Sequence, residues 1–143
     1  MERVQAFELE TGRELWRKEW NASGLLMPNA GFTGFPGSCP AFSDYSLFLR
    51  VLDWETTGLR CLNASNGSVR WRTDNDPAMR KLVWLSDPAV AYGLAIAPFL
   101  EPHQSGKGVH GVAAVNAATG ALQWKRVLAA GATGFQVREG HGR

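Results

Sequence analysis

The chain has 143 residues, of which 45% are hydrophobic and 20% are charged, and its formal net charge is +2. This length predicts about one domain and this composition a folded one, while the small charge gives no indication of binding to nucleic acid or to an anionic membrane. No apolar run reaches the ~18 residues of a membrane span. The first residues lack the hydrophobic segment of a signal peptide, so export would require a signal upstream of this chain.

One phrase is written three times along the chain. It occurs as AFELETGRELW at residues 6–16, as CLNASNGSVRW at 61–71 and as AVNAATGALQW at 114–124. In every copy a glycine lies six residues after a small side chain and four residues before a tryptophan. The shared positions are Ala6, Gly12, Trp16, Cys61, Gly67, Trp71, Ala114, Gly120 and Trp124. Such self-similarity, at a period of about 50 residues, predicts a repeat architecture.

Each copy predicts a strand, a tight turn and a returning strand, and we name the two strands C and D. The Thr-Gly or Asn-Gly pair supplies a polar side chain followed by a residue that readily takes positive φ. The tryptophan then lies on strand D, where the small residue leaves room for its ring and a backbone carbonyl is the expected acceptor for its N–H. One tryptophan in each repeat is expected to fasten neighbouring repeats together.

A second repeated element predicts two earlier strands, A and B. The segments CPAFSDYSLFL (39–49) and DPAVAYGLAIA (87–97) share a Pro-Ala pair, a short turn and an apolar run. Strands B and C are apolar on both faces, so each four-stranded sheet is expected to be covered on both sides, as propeller blades are. A single β-sandwich is the structural alternative, but it does not explain why tryptophan recurs at one position of the repeat.

The chain is therefore predicted to be all-β and to form a partial β-propeller of about three four-stranded antiparallel blades, the first incomplete. The expected units are the second half of a blade in residues 1–20, full blades in 39–73 and 86–128, and a linker toward a next blade in 129–143.

The repeated phrase resembles the tryptophan-docking motif A-x-(D/N)-x-x-T-G-x-x-x-W of the PQQ-like, or quinoprotein-type, β-propellers. The copy at 114–124 matches it throughout, whereas Glu8, Cys61 and Asn66 depart from it. The resemblance covers essentially the whole chain and implies an eight-bladed propeller, usually periplasmic or otherwise extracytoplasmic. The family includes PQQ-dependent alcohol dehydrogenases and non-catalytic scaffolds, such as the lipoprotein of the outer-membrane barrel assembly machinery, so the fold does not settle the function.

About three blades are too few to close the ring that the resemblance implies. The leading hypothesis is a non-catalytic scaffold or protein-binding segment, a fragment of a longer protein whose partners are another protein or the remaining blades. Two alternatives stay open: a fragment of a PQQ-dependent alcohol or sugar dehydrogenase, and a self-assembling partial propeller that associates through open blade faces. PQQ and calcium are expected as cofactors only under the dehydrogenase alternative, and no cofactor is expected otherwise.

The B–C and D–A connections are long and unequal, and both emerge on the same face of the predicted propeller. They cover residues 19–38, 53–57, 74–86 and 98–108. Because binding is usually placed in long loops on a rigid scaffold, this face is the candidate binding surface, although loops that vary without any function are an equal alternative. Its candidate residues are Trp54, Glu55, Glu101, His103, Gln104 and Lys107.

No motif in the sequence predicts a catalytic, cofactor-binding or metal site. GKGVHG (106–111) fits a dinucleotide-binding pattern, but it precedes a predicted strand rather than a helix. DNDP (74–77) opens like a calcium loop that lacks the later glycine and glutamate. Cys39 and Cys61 predict neither a disulfide framework nor a zinc site. They are also not the adjacent pair that a resemblance to PQQ enzymes implies, and no aspartate can be assigned as the catalytic one.

Overall fold

The computed structural model describes residues 2–20, 39–52, 57–102 and 108–128. Within these ranges the chain forms β-strands and one short 3₁₀ turn, Thr73–Asn75. The strands are β1 (Glu2–Phe7), β2 (Glu14–Trp20), β3 (Ala41–Ser43), β4 (Ser46–Leu52), β5 (Thr57–Asn63), β6 (Val69–Arg72), β7 (Val83–Trp84), β8 (Ala89–Ala91), β9 (Leu94–Glu101), β10 (Val109–Asn116) and β11 (Leu122–Val127). Nowhere in these ranges is there a helix long and apolar enough to cross a membrane.

The strands form three antiparallel sheets in chain order, which are successive blades of a partial propeller. The first blade pairs β1 with β2, the second has the order β3-β4-β5-β6, and the third has the order β11-β10-β9-β7 with β8 also paired to β9. The second blade matches the predicted order of strands A, B, C and D, and among the described residues the first blade holds the C–D hairpin alone. The prediction of an all-β partial propeller is confirmed.

The third blade differs from the predicted four strands in having a fifth, β7. The two residues of β7 pair with Leu100 and Phe99, whereas β8 pairs with the first half of β9. The two short strands line one edge of β9 on either side of Pro98, a residue without an N–H for a ladder hydrogen bond. The predicted loops over residues 74–86 and 98–108 are therefore wrong in part, because the apolar second half of β9 finds a pairing partner in β7.

In each C–D hairpin the tryptophan lies directly across from the small residue of the repeat. The cross-strand pairs are Ala6 with Trp16, Cys61 with Trp71, and Ala114 with Trp124. In all three hairpins the register shifts immediately after the small residue. A small side chain opposite the ring leaves room for the indole on that face of the sheet, which explains why the two positions recur together.

Apolar side chains pack between blades rather than within one sheet. The cluster between the second and third blades includes Phe48, Leu59, Cys61, Trp71, Trp84, Ala95, Ala97, Phe99, Ala113 and Val115. The cluster between the first and second blades consists of Leu49, Val51 and Leu62, with Val4, Trp16 and Leu47 packed against it. Phe48 and Leu49 are neighbours in β4 and belong to opposite clusters, which is the arrangement that a sheet covered on both faces requires.

Candidate functional site

The indole of Trp71 leaves its own blade and lies on the C–D turn of the third blade. Its Nε1 donates a hydrogen bond of 2.9 Å to the carbonyl oxygen of Ala117. Trp71 is only 7% exposed, and its ring centroid lies 6.0 Å from that of Phe48. One side chain therefore contributes both a directed hydrogen bond and a large buried apolar surface to the contact between two blades.

Trp16 makes the same contact one blade earlier. Its Nε1 donates to the carbonyl oxygen of Ala64, also over 2.9 Å. Ala64 and Ala117 occupy the same position of the repeat, one residue after the asparagine that begins the C–D turn. We call this contact, in which an indole of one blade is bonded to the C–D turn of the next, a tryptophan junction.

The glycine of the receiving turn makes room for the indole. A Cβ atom added at Gly67 would lie 2.6 Å from Cε3 of Trp16, and one added at Gly120 would lie 2.7 Å from Cδ2 of Trp71. Both distances are well inside van der Waals contact, so a larger residue would force the ring away. The two glycines also have φ values of 74° and 76°, which residues with a Cβ atom rarely adopt. Two independent requirements therefore place glycine at this position.

Backbone hydrogen bonds fold all three C–D turns in the same way. In each turn the glycine N–H donates to the carbonyl oxygen four residues earlier, over 2.7 or 2.8 Å. The side chains of Asn63 and Asn116 also accept backbone N–H groups within their turns, both over 2.9 Å. In the first turn the carboxylate of Glu8 instead accepts the hydroxyl of Thr11 and pairs with Arg13. The departure of Glu8 from the repeat therefore leaves the backbone of the turn unchanged.

Trp124 and the first C–D turn are the two unmatched halves of a tryptophan junction. Trp124 is 39% exposed, and in the described part of the chain no group accepts a hydrogen bond from its indole. No described atom lies within 4 Å of the Cβ position of Gly12, so no indole covers the first turn. The surroundings of Trp124 thus differ from those of Trp16 and Trp71, because within the described residues no further blade follows the third.

A second contact between blades comes from Asp87, a residue that the sequence did not single out. Its Oδ2 accepts the backbone N–H of Cys39 and its Oδ1 accepts the backbone N–H of Arg50, both over 2.7 Å. One carboxylate of the third blade therefore binds two segments of the second. Arg50 in turn donates from its guanidinium to the carbonyl oxygen of Trp84 over 3.3 Å. The available signal is the DPA of the third blade against the CPA of the second, which places Cys39 at the position of Asp87.

A buried carboxylate at the end of the second blade lies beside two arginines. Asp74, whose side chain is 4% exposed, accepts hydrogen bonds from the guanidinium of Arg72. Burial acts to raise the pKa of Asp74, but the hydrogen bonds and charge of Arg72, together with the charge of Arg60, outweigh it, so this pKa lies below the usual aspartate range. Thr73 accepts the backbone N–H of Leu59 over 3.0 Å. These contacts tie the ends of β5 and β6 together.

Among the residues of the candidate binding surface, Glu101 is the one within the described ranges. It ends β9, and its carboxylate forms an ion pair with Lys125 of β11 at 3.3 Å. The ammonium nitrogen of Lys125 also lies 5.8 Å from the ring centroid of Phe99. The other candidates lie outside the described ranges: Trp54, Glu55, His103, Gln104 and Lys107. The binding role of this face stays a prediction.

The described residues do not assemble a metal-binding set. Within those ranges no group of three or more His, Cys, Asp or Glu side chains is placed to hold a metal ion. Cys61 is 1% exposed, and burial raises the pKa of its thiol despite an opposing hydrogen bond with Ser46. A buried thiol of this kind is a packing group rather than a nucleophile. This part of the chain therefore does not fit the PQQ and calcium site that a resemblance to quinoprotein enzymes implies.

Antiparallel blades that stack face to face, with indoles bonded from one blade to the next, define a β-propeller repeat protein of PQQ-like type. A family model described as outer membrane protein assembly factor BamB matches residues 1–140. The chain belongs to this family of PQQ-like repeat proteins, so the resemblance of the repeated phrase is confirmed. No curated protein matches the chain.

Proposed function

We propose that the chain is a non-catalytic segment of a PQQ-like propeller that serves as a scaffold or protein-binding module. The observation that carries the proposal is the pair of tryptophan junctions, which join three consecutive blades through contacts of equal geometry. Asp87 adds two further hydrogen bonds between the second and third blades. Blades fixed in this way hold the connections at their rim in constant relative positions, which a binding surface made of loops requires.

The proposed partner is another protein, met outside the cytoplasm. The matching family is named for an assembly factor of outer membrane proteins, and PQQ-like repeat proteins are generally extracytoplasmic. A closed propeller has about four to eight blades, so the three blades described here are proposed to be part of a ring that a longer parent protein completes.

Site-specific photo-crosslinking tests the proposed binding rim. A photoreactive residue at Gln104, in the B–C connection of the third blade, is compared with the same residue at Ser65, which is exposed on the C–D turn of the second blade. The B–C connections and the C–D turns lie at opposite ends of the strands. In an extract of the native host we expect a discrete protein adduct from Gln104 and none from Ser65. Equal adducts from both positions, or no adduct from Gln104, would contradict the proposal.

The proposal also states that this chain carries no cofactor of its own. The dehydrogenase alternative requires PQQ and Ca²⁺ to bind, so the purified chain is equilibrated with both and then separated from free quinone. We expect no quinone absorbance in the protein fraction. Stoichiometric bound PQQ would overturn the non-catalytic part of the proposal and leave the arrangement of the blades untouched.

A further inference from the structure

The two ends of the described stack carry complementary halves of a tryptophan junction. At the third blade, Trp124 has the repeat position of Trp16 and Trp71, but its indole meets no following turn among the described residues. At the first blade, the turn formed by residues 8–13 has the repeat position of the turns that receive those two indoles. A donor half and an acceptor half are therefore present on the same chain, at opposite ends of the stack.

The outer face of the third blade is apolar and only partly covered. Ile96 and Val112 have the repeat positions of Phe48 and Leu59, which are 2% and 0% exposed because the third blade packs on them. Ile96 and Val112 are partly exposed instead. Together with Trp124 they form an apolar surface of the kind that the second blade buries against its neighbour.

The acceptor end is already folded into the shape that receives an indole. Gly12 has a φ of 71°, close to the 74° of Gly67, and its N–H donates to the carbonyl oxygen of Glu8 over 2.8 Å. Leu9 has the repeat position of the alanines whose carbonyl oxygens accept the indoles, and it is 99% exposed. Phe7, 55% exposed, adds apolar surface beside the turn.

We propose that Trp124 of one copy of this chain docks on the 8–13 turn of a second copy, with its indole N–H bonded to the carbonyl oxygen of Leu9. The inference rests on the proposed role of the tryptophan junctions in joining blades, and it extends that role to blades of different molecules. A second copy is the occupant because every molecule carries both halves, at the same repeat positions as the halves of the internal junctions. The interface is head-to-tail, so it closes into a ring or grows into a chain according to the rotation between copies.

The driving force for this docking is the burial of apolar surface that both ends expose. Ile96 and Val112 on one copy, and Phe7 and Leu9 on the other, leave water when the two blades meet. The bond from the indole N–H to the carbonyl oxygen then sets the position of one blade on the other, as it does at the internal junctions.

Multi-angle light scattering over a concentration series of the 143-residue chain tests this inference. We expect the mean mass to rise above that of one chain as the concentration increases. Trp124→Ala removes the donor half, and Gly12→Ala places a Cβ atom where the indole would lie. Each is expected to weaken association at least about tenfold. Leu9→Glu is a second acceptor variant that leaves the glycine in place, and we expect it to act as Gly12→Ala does.

A mixture of the donor and acceptor variants gives the sharpest result. Trp124→Ala keeps its turn and Gly12→Ala keeps its tryptophan, so one molecule of each can form a single complete junction. We expect the mixture to stop at dimers that neither variant forms alone. A wild-type chain that stays monomeric, an association that survives both substitutions, or a mixture that stays monomeric would overturn the inference.

Two controls separate docking from folding and from the proposed function. Circular dichroism spectra of Trp124→Ala and Leu9→Glu are expected to match the wild type, because both side chains are exposed in the single chain. The crosslinks at Gln104 depend on the rim and not on the end surfaces. Intact crosslinks without self-association would therefore overturn the inference alone, whereas self-association without crosslinks would overturn the proposed binding function alone.

Discussion

Trp71 donates its indole N–H to the carbonyl oxygen of Ala117 over 2.9 Å, and this bond joins two blades rather than two strands of one blade. Trp16 repeats the arrangement on Ala64. The recurring tryptophan is therefore a contact between neighbouring repeats, whose acceptor is a backbone atom in the next repeat. The stability of the stack should depend on this side chain at both internal junctions and much less on Trp124.

Trp71→Phe is expected to lower the free energy of unfolding by about 1–3 kcal/mol, because it removes the hydrogen bond to Ala117 and part of a buried ring. Trp124→Phe is the matched control, and we expect it to cost less than about 0.5 kcal/mol, since this indole is exposed. Urea unfolding followed by circular dichroism in dilute solution measures both values. Equal losses for the two variants would show that Trp71 is not a junction residue.

Gly120→Ala is expected to destabilise the chain more than Gly93→Ala. Gly93 has a φ of 74°, close to the 76° of Gly120, but no atom lies within 4 Å of its Cβ position. Gly93→Ala should therefore cost only the backbone term, about 1 kcal/mol. Gly120→Ala must also displace the Trp71 ring, and we expect about 1–3 kcal/mol more. Thermal or urea unfolding of the pair checks this difference, and identical costs would mean that the ring does not need the glycine.

Asp87→Ala is expected to cost about 2–4 kcal/mol, because it leaves the backbone N–H groups of Cys39 and Arg50 without their carboxylate. Asp76→Ala is the control; Asp76 accepts the N–H of Ala78 in an exposed turn, so a loss of about 0.5–1 kcal/mol is expected. Hydrogen exchange adds a local measurement, in which the amides of Cys39 and Arg50 lose protection only in Asp87→Ala. Unchanged protection of both amides would remove Asp87 from the contact between blades.

The stability contributed by Asp74 is expected to disappear in acid. Its pKa in the folded protein lies below the usual aspartate value of about 3.9. The contribution is therefore complete above that value and is lost as the pH falls through the lower pKa of the folded state. Asp74→Asn should be less stable than the wild type at pH 7, and the difference should shrink below about pH 4. Unfolding free energies of both proteins across this pH range test the prediction, and a constant difference would contradict it.

The local part of the fold could be predicted from the sequence because its determinants are local. Gly67 and Gly120 require positive φ and close approach of a ring, and Trp71 needs a small residue, Cys61, directly across the hairpin. These requirements fall at fixed spacings within about a dozen residues, so they are visible as a repeated phrase. The blade order followed because both faces of strands B and C are apolar.

The contacts between blades could not be predicted in the same way. The acceptors at Ala64 and Ala117 are backbone oxygens, which have no side-chain signature. Asp87 binds backbone N–H groups, and the partners lie 48 and 37 residues away in the chain. Strand β7 was missed because two residues are too few to show a period. Of the candidate binding surface, only Glu101 lies within the described residues, so that prediction is still open.

Exchange of the indole N–H protons, followed by NMR in dilute solution and assigned with single Trp→Phe variants, tests the tryptophan junctions most directly. We predict slow exchange for Trp16 and Trp71, whose N–H groups are bonded to carbonyl oxygens of the next blade, and fast exchange for Trp124. Exchange of Trp71 as fast as that of Trp124 would contradict the account of how these blades are joined.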